Sequence, residues 1–525
     1  MTSRPDARAL IAAVLDADSW KSWDEPPVDP ADPGSPYAAE LIAARVKSGY
    51  DESVITGEGT LGRRRVAVVA CEFSFLAGSI GVVAAERLVR AVERATAERL
   101  PLLAAPASGG TRMQEGALAF VQMIKIGAAV AQHRAAGLPY VVYLRHPTTG
   151  GVFASWGSLG HVTAAEPGAL IGFLGPRVFE SLYGYPFPEN VQTAENLYAH
   201  GLVDAVVSAE DAREVAMRAL NVLCAPRDSK LASIPAPEEA AGDTDAWEAI
   251  TRTRRDDRPG VRTLLRHGAR DVTPLNGTGQ GENDPGLLLA LARFGTAPAV
   301  VLGQDRRHGA FGRATGESYR LSPERPPSRT ARHGPGGDHP GLGPAGLRVA
   351  RRGMRLAAEL GLPLVTVIDT SGAELSAAAE EGGLAGEIAR SLAEMVTLAA
   401  PTVCVLLGEG AGGAALALLP ADRVVCAEHA WLSPLSPEGA SAILYRTVDF
   451  APEIAQYQGI RAGDLKRDGI VDRIVPERPD AAYEPEEFCR RISRALEHEI
   501  IELLGRPPGD RVAARLARYR ALGSP

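Results

Sequence analysis

The sequence is poor in cysteine, which limits the kinds of covalent or metal support available to the fold. Its 525 residues include five cysteines, and these are widely scattered. No two of them form a CxxC pair, and no histidine stands at zinc-ligand spacing from them. We therefore expect neither a disulfide framework nor a metal site. Cys71 and Cys404 end apolar runs and are interpreted as small buried hydrophobic residues.

Long apolar runs are absent too. No stretch reaches 18 apolar residues without a charge, and the N-terminal residues MTSRPDARAL lack the hydrophobic segment of a signal peptide. The formal net charge of -8 is modest for this length and disfavours a general nucleic-acid binder. We expect a cytoplasmic protein that binds neither nucleic acid nor membrane, although a phosphate-bearing small molecule remains a possible ligand.

Familiar nucleophile and phosphate motifs are also missing. The chain has no GxSxG and no GxxxxGK[ST], and its ten histidines follow no recognised spacing with serine and aspartate. His146, next to Pro147, is interpreted as a turn residue, with a general base as the less favoured alternative. Glu115 and Glu166 are interpreted as capping residues or as partners of an arginine such as Arg112.

What the sequence does contain is a repeated α/β pattern. Strand-length apolar runs such as RRVAVVACEF and PLLAAPASGG alternate with helical patterns such as GVVAAERLVRAVERATAERL. This alternation predicts α/β domains with right-handed crossovers. The length is too great for one ordinary core, and it fits two large domains.

The second half repeats the first at an almost constant spacing. Leu100 and Leu362 open similar strands 262 positions apart, and the glycine pair at 150–151 recurs at 412–413. Glu166 matches Glu428 at the same spacing, whereas HGLVDAVV and DGIVDRIV lie 268 positions apart. An internal duplication is the favoured explanation. It predicts domains at 1–234 and 235–525, joined by a surface linker near 235.

One irregular stretch interrupts the second half. Residues 322–344 are rich in proline, glycine and arginine, and the stretch is too long for a routine connection. A disordered insertion and a mobile lid or substrate-binding segment both remain open.

Glycine-rich turns follow two strands in each half. They are ASGGTRMQEG and TTGGVFASWG in the first half, and DTSGAELS and GEGAGGAALALL in the second. Close packing of a strand on a helix is one explanation for bare backbone at these positions. Backbone N–H groups at a helix start can also stabilise a developing oxyanion. The two turns of each half could therefore supply a two-donor oxyanion hole.

The longer motifs resemble a known family. SGGTRMQEG, HPTTGGVFAS, AEPGALIGFLGPRV and AENLYAHGLVD closely resemble the β half of the carboxyltransferase of biotin-dependent acetyl-CoA and acyl-CoA carboxylases. LGLPLVTVIDTSGAE, GEIARSLAEMV, GEGAGGAALALLPADRVV, SPEGASAILYR and GIVDRIVPE resemble the α half. The resemblance spans about residues 50–480. It implies two tandem crotonase-like (ββα-superhelix) domains from an internal duplication, the first on the acyl-CoA side and the second on the carboxybiotin side.

The resemblance also assigns site residues. The catalytic backbone groups are those of Gly150, Gly151, Gly413 and Ala414, where the first pair binds the thioester enolate and the second the ureido oxygen of biotin. The substrate-binding residues are Gly109, Gly110, Arg112, Phe173, Gly175, Pro176, Gly372, Gly412 and Leu416. No protein base and no metal are required. One departure is TSGAELS, which stands where the family has TPGAYPG.

Two further expectations concern partners and product. The chain has no AMKM biotinyl motif and no ATP-binding glycine loop, so biotin and the biotin carboxylase are expected on separate chains. The resemblance implies a homo-oligomer, a dimer or larger, that carboxylates acetyl-CoA or another short acyl-CoA to a malonyl-CoA-type product for fatty acid biosynthesis. The alternatives are a biotin-linked acyl decarboxylase subunit, a crotonase-type hydratase, which the duplication disfavours, and a non-catalytic protein that binds acyl-CoA or a biotinyl partner.

Overall fold

The computed structural model describes residues 4–227, 234–306 and 341–523. These residues divide into two compact units, residues 4–224 and residues 225–523. Each unit is built around its own mixed β-sheet. The stretch that the sequence analysis interprets as an insertion or lid, 322–344, lies almost entirely outside the described residues.

The first unit alternates strands and helices along most of its length. Its helices are α1 (Ala7–Val14), α2 (Pro36–Ser48), α3 (Val82–Ala97), α4 (Gly116–Ala135), α5 (Gly150–Phe153), α6 (Pro176–Tyr183), α7 (Ala194–Ala199) and α8 (Ala209–Leu223). Its strands are β1 (Lys21–Ser22), β2 (Val54–Leu61), β3 (Arg64–Cys71), β4 (Leu102–Ala105), β5 (Tyr140–Leu144), β6 (Thr148–Thr149), β7 (Val162–Ala165), β8 (Ile171–Gly172) and β9 (Ala205–Val206).

The sheet of the first unit has the order β1-β2-β3-β4-β5-β7-β9. Strands β1, β2 and β3 pair antiparallel, and the pairs from β3 to β9 are parallel. Both faces of this sheet are covered by helices. Val69 of β3 belongs to the core beneath α3 and α4, whereas its neighbour Val68 faces the apolar space beneath α1 and α8. Burial on both faces explains why β3 is a continuous apolar run and not an alternating one.

The second unit has the same kind of element sequence. Its helices are α9 (Ala246–Thr253), α10 (Val261–Gly268), α11 (Pro344–Leu360), α12 (Ala377–Glu381), α13 (Leu384–Thr397), α14 (Gly412–Leu416), α15 (Pro437–Tyr445), α16 (Ala451–Tyr457), α17 (Ala462–Arg467), α18 (Pro485–Leu504) and α19 (Pro508–Ala521). Its strands are β10 (Arg270–Leu275), β11 (Leu287–Phe294), β12 (Ala297–Gln304), β13 (Leu364–Thr370), β14 (Thr402–Ala411), β15 (Arg423–Ala427), β16 (Trp431–Ser433) and β17 (Arg473–Val475).

The sheet of the second unit repeats the topology of the first. Its order is β10-β11-β12-β13-β14-β15-β17, with β16 paired to β14. Leu102 pairs with Tyr140 in the first sheet, and Leu364 pairs with Thr402 in the second. Both members of the pair are shifted by 262 positions, so the two sheets share one strand register. The repeat seen in the sequence therefore corresponds to a repeat in structure.

The register also corrects one predicted equivalence. Leu144 pairs with Ala165 in the first sheet, and Leu406 pairs with Cys426 in the second. Leu144 and Leu406 are 262 positions apart, whereas Ala165 and Cys426 are 261 positions apart. The second unit therefore has one residue fewer between the two paired positions. Glu166 is consequently equivalent to Ala427 and not to Glu428. The same shift aligns Pro176, which begins α6, with Pro437, which begins α15.

One part of the extra length of the second unit lies between β12 and α11. The β2–β3 and β11–β12 hairpins are 233 positions apart, since Leu61 pairs with Arg64 and Phe294 pairs with Ala297. Helices α3 and α11 begin 262 positions apart. The second unit therefore carries 29 additional residues between these two elements.

Buried cysteines contribute to both cores. Cys71 at the end of β3 and Cys404 in β14 are fully buried, and burial raises the pKa of these thiols to about 11 and about 12. Their interpretation as small buried hydrophobic residues is confirmed. All five cysteines are free thiols. In the described ranges, no helix is both long enough and apolar enough to span a bilayer.

Candidate active site

The first candidate site forms where β6 leads into α5. Gly150 is the first residue of α5 and has a φ of 62°, a left-handed conformation that favours glycine. Its N–H donates to the carbonyl of Phe173 at 2.9 Å. The next N–H, that of Gly151, has no acceptor among the described residues. It is therefore a free donor at a helix N-terminus, where a negative charge is stabilised.

A second glycine turn packs directly against the first. Gly110 has a φ of 112°, and a Cβ atom built on it would lie 3.5 Å from Gly150 Cα and 3.7 Å from the nitrogen of Gly151. A larger side chain at this position would cover the free N–H group. Gly109 donates its N–H to the carbonyl of Ala77 at 2.9 Å. The structure thus brings together the four glycines that the sequence analysis assigned to the acyl-CoA side.

The second unit contains the equivalent pair of turns. Gly412 begins α14 with a φ of 67°, and Gly372 has a φ of 142°. Within the described residues the N–H groups of Gly413 and Ala414 find no acceptor. Thr370 of β13 pairs with Gly410 of β14, so the two turns leave neighbouring strands at the same edge of the sheet.

In each unit, one hydroxyl side chain accepts the N–H of the glycine in the turn that follows β4 or β13. Ser108 accepts the Gly110 N–H at 3.0 Å, and Thr370 accepts the Gly372 N–H at 3.1 Å. These residues were missed by sequence reasoning, although both stand two positions before a glycine at the common spacing of 262. The turn in TSGAELS therefore keeps the backbone geometry of its counterpart in ASGGTRM despite the changed sequence.

The remaining predicted residues lie in different environments. Phe173 and Leu416 are exposed, with relative exposures of 68% and 48%. Gly175 is the N-cap of α6, and Pro176 is its first residue. Phe173 lies beside the turn of the first unit, because its carbonyl accepts the Gly150 N–H. Leu416 belongs to α14 of the second unit.

Arg112 is a correction to the predicted substrate-binding set. Its side chain is fully buried and paired with the carboxylate of Glu52, with Nη1 3.1 Å from Oε2. Its Nη2 also donates to the carbonyl of Ser79 at 2.8 Å. A guanidinium committed to buried partners supports the turn after β4 and is not open to a ligand.

The acidic and histidine candidates also have structural roles. Glu115 accepts the N–H of Val82 at 2.6 Å and so caps the start of α3, as its interpretation as a capping residue predicted. Glu166 accepts the His146 N–H at 2.8 Å. His146 accepts the Leu170 N–H through Nδ1 at 3.1 Å, and burial lowers its pKa. His146 is thus a neutral turn residue, as expected.

A buried amide holds the free N–H groups of the second unit in place. Gln304, at the end of β12, donates from Nε2 to the carbonyl of Ala414 at 2.8 Å, and its Oε1 accepts the Asp369 N–H at 3.2 Å. The equivalent residue in the first unit is Cys71. Comparing the two halves of the sequence therefore could not identify Gln304 as a functional residue. The second turn therefore has a polar support that the first turn lacks.

Buried charges also support β14, the strand that leads to Gly412. Arg258 and Glu477 are fully buried and form two hydrogen bonds of 2.7 Å, and Arg258 donates to the carbonyl of Leu407 at 2.9 Å. Burial raises the pKa of Glu477, but the charge and hydrogen bonds of Arg258 outweigh it and hold this pKa well below its usual range. The pair is therefore ionised at neutral pH.

Arg258→Met is expected to destabilise the protein by about 3–5 kcal/mol at pH 7, because it leaves the Glu477 carboxylate buried without its partner. In the wild type, the depressed pKa gives stability that is complete above the ordinary carboxyl range and is lost as the pH falls below it. In the variant the pKa of Glu477 rises, so the deficit should shrink as the pH is lowered towards 5. Urea unfolding at several pH values measures both effects.

Arg255→Met is the matched control, since Arg255 is partly exposed and pairs with Asp257 at the surface. We expect a loss of no more than about 1 kcal/mol from it. Equal losses in the two variants would show that the buried pair has no special role in stability.

No group of three or more histidine, cysteine, aspartate or glutamate residues within the described ranges is arranged to hold a metal ion. In each unit, the candidate functional groups are backbone donors at a helix start. Comparison with known proteins identifies the family. Residues 30–507 match the carboxyl transferase domain. The chain belongs to the carboxyl transferase domain family.

Relatives of this carboxyltransferase cover its whole length. It is 58% identical to the probable biotin-dependent acyl-coenzyme A carboxylase beta3 subunit of Mycobacterium tuberculosis, over 100% of this chain and 99% of that protein. It is 36% identical to the acetyl-coenzyme A carboxylase carboxyl transferase subunits beta/alpha of Salinispora arenicola, over 99% of this chain and 91% of that protein. The predicted function, the carboxyltransferase component of a biotin-dependent acyl-CoA carboxylase, is confirmed at this level.

Solved structures show the same fold. The transcarboxylase 12S structure with hydrolysed methylmalonyl-coenzyme A bound aligns with a TM-score of 0.70 at 20% identity, over 94% of this chain and 89% of that one. A single-chain, multi-domain long-chain acyl-CoA carboxylase aligns with a TM-score of 0.68 at 18% identity, over 94% of this chain and 46% of that one. The predicted fold class, two crotonase-like α/β halves, is confirmed.

Proposed function

We propose that this carboxyltransferase moves the carboxyl group of carboxybiotin, carried on a separate protein, to the α-carbon of acetyl-CoA or another short acyl-CoA. The product is then of the malonyl-CoA type and serves fatty acid biosynthesis in the cytoplasm. The first unit handles the acyl-CoA, and the second handles carboxybiotin. The names of the Mycobacterium and Salinispora relatives support this class of substrate.

The observation that carries the proposal is the same in both units. In each unit a left-handed glycine begins a short helix directly after a strand, Gly150 after β6 in one and Gly412 after β14 in the other. The following N–H groups, those of Gly151, Gly413 and Ala414, have no acceptor in the described part of the chain. Preorganised donors of this kind stabilise an oxygen on which negative charge develops.

The chain's own residues then have distinct tasks. Gly151 donates its N–H to the thioester oxygen as the enolate forms, and Gly110 leaves the space that this oxygen occupies. Gly413 and Ala414 donate to the ureido oxygen of biotin, and their free N–H groups fit an anionic oxygen of that kind. Carboxybiotin, when bound, supplies the carboxyl group and the proton acceptor. No protein side chain needs to act as a base.

The purified chain tests this proposal directly. Incubated with malonyl-CoA and free biotin, it should carboxylate biotin and release acetyl-CoA in equal amounts. Release of acetyl-CoA with no carboxylated biotin would instead indicate an acyl decarboxylase. Failure to consume any malonyl-, methylmalonyl- or longer acyl-CoA would indicate a binding protein without this activity. A carrier protein and a biotin carboxylase are the expected partners for the forward reaction.

Large apolar side chains on the surface support an oligomer. Leu118, Phe120 and Ile124 on α4 are 59–74% exposed, and Ile443 and Leu444 on α15 are 64–66% exposed. Clusters of exposed apolar side chains mark association surfaces. We expect at least a dimer, in which association covers these side chains.

Sedimentation at micromolar concentration checks the oligomer. Leu118→Glu combined with Ile124→Glu should shift the protein towards monomer, whereas Lys125→Glu on the same helix should not. A wild-type chain that sediments as a monomer and retains full activity would contradict the expectation.

A further inference from the structure

A recess lined by arginine opens at the edge of the second sheet farthest from the glycine turns. It lies beside the start of β15 and the packed ends of α18 and α19, and its volume is about 220 Å³. Five arginines and two aspartates line it, so positive side chains outnumber negative ones by three. The arginines are Arg423, Arg506, Arg511, Arg515 and Arg518.

Both aspartates are already used by arginines of the recess. Arg515 is fully buried and binds Asp422 through two hydrogen bonds of 2.8 and 2.9 Å. Arg518 binds Asp472 at 2.6 Å. Arg423 lies 3.3 Å from a carboxylate oxygen of Glu499. These pairs fix α19 against the sheet. The remaining two arginines, Arg506 and Arg511, have no acidic partner among the described residues.

Of these two arginines, Arg511 is the buried one. It is 7% exposed and donates only to main-chain carbonyls, those of Leu503, Arg506 and Ala399, and forms no ion pair with any described residue. Its Nε–H is buried and has no hydrogen-bond partner in the described part of the chain. Burial lowers the pKa of Arg511, and the charge of Arg515 adds to this effect, whereas Asp422 opposes it. A buried cation without a counter-charge is costly.

Arg506 stands at the mouth of the same recess. Its side chain is exposed and pairs with no described carboxylate. Arg518 adds a second buried donor, because its Nε–H also lacks a partner among the described residues. The recess thus combines two uncompensated guanidinium groups with two unused, buried N–H donors. An oxyanion in the recess would supply the counter-charge that Arg506 and Arg511 lack.

We propose that this recess binds a small phosphate-bearing anion. Guanidinium groups present fixed pairs of N–H donors that match phosphate oxygens, and charge-assisted hydrogen bonds of this type are the strong ones. The volume suits a phosphate or pyrophosphate group, whereas a folded segment of another protein needs a larger surface.

The recess is separate from the carboxyl transfer site. Asp422 accepts the N–H of Thr402, the first residue of β14, at 2.8 Å. The free N–H groups follow the last residue of the same strand. Ten residues of extended chain span about 30 Å, which excludes one ligand bridging the recess and the turn after β14 through a single phosphate group. The proposal therefore does not depend on the substrate assignments made above.

Thermal unfolding and calorimetry of the full chain test the proposal with inorganic phosphate, pyrophosphate and ADP, each against potassium chloride of matched ionic strength. We expect pyrophosphate to raise the melting temperature by about 2 °C or more at saturation. Arg511→Gln and Arg506→Gln should each weaken pyrophosphate binding about tenfold or more. Arg355→Gln, at an exposed arginine of α11, is the matched control and should bind as the wild type does.

Comparing ADP with pyrophosphate distinguishes a nucleotide ligand from a free phosphate anion. Tighter binding of ADP than of pyrophosphate, lost in Arg506→Gln, identifies a nucleotide as the ligand class, and the reverse order identifies a free phosphate anion. Arg506 is exposed, so its variant folds even where Arg511→Gln does not. No shift beyond that given by potassium chloride, or equal binding by Arg506→Gln and the wild type, would overturn the proposal.

Discussion

Gly151→Pro is expected to lower kcat for carboxyl transfer about a hundred- to a thousand-fold. Proline has no N–H, so this change removes the free donor at the start of α5 and keeps the main-chain path. A donor that acts on the developing enolate stabilises the transition state more than the bound substrate. The fall should therefore appear in kcat and in kcat/KM alike, with little change in KM for the acyl-CoA.

Crowding at position 151 calls for its own control. A Cβ atom there would lie 3.1 Å from Met123 Cγ and 3.2 Å from Thr111 Oγ1. Gly151→Ala introduces the same Cβ and keeps the N–H. We expect it to retain activity within about tenfold of wild type, because the Met123 side chain can move. Both variants are checked first by thermal melting, since proline also restricts the residue before it.

The outcome that contradicts this assignment is equally clear. If Gly151→Pro melts like the wild type and carboxylates at a near wild-type rate, the Gly151 N–H is not a catalytic donor. If Gly151→Ala is as inactive as Gly151→Pro, crowding against α4 and not the lost donor explains the effect.

Ala414→Pro is expected to lower the rate of biotin carboxylation from malonyl-CoA by a similar factor, about a hundred- to a thousand-fold. Ala414 contributes one of the free N–H groups of α14, and its carbonyl is held by Gln304 at 2.8 Å. Proline keeps that carbonyl and removes the donor, while its ring also adds bulk at this position. The residue before it, Gly413, has no Cβ and so tolerates the restriction that proline imposes.

Two variants that keep the N–H separate the donor from packing at this position. Ala414→Gly removes the methyl group and should be nearly silent. Ala414→Val adds bulk at a fully buried position, and any loss it shows reports packing alone. A folded Ala414→Pro variant that still carboxylates free biotin at a near wild-type rate would show that the second turn is not an oxyanion hole.

The two halves show how far a repeated sequence can be trusted. Four glycines, at 150, 110, 412 and 372, share a spacing of 262, and all four have left-handed backbone conformations. A positive φ favours glycine through the backbone of the residue itself, which is why these glycines recur at one spacing in the sequence. Leu416, Phe173 and the start of α6 were reached through resemblance alone, and no local rule identifies them.

Arg112 shows where sequence reasoning stops. It stands inside a motif rich in site residues, yet its guanidinium is buried against Glu52, 60 positions earlier. Gln304 is the opposite case, since it lies outside every motif and holds Ala414, 110 positions later. Which side chains meet is decided by packing between distant segments, and no pattern within either segment encodes it.

The sequence by itself determined the α/β class, the duplication and the positions of the bare-backbone turns, because apolar periodicity, strand length and glycine requirements act locally. Only the tertiary structure decided three other features. It packed Gly110 against Gly150, it moved Glu166 out of register with Glu428 by one residue, and it gathered arginines from β15, α19 and the turn before α19 around one recess. Each of these depends on contacts between residues far apart in the chain, where burial and charge are fixed by the packed partners and not by neighbours in sequence.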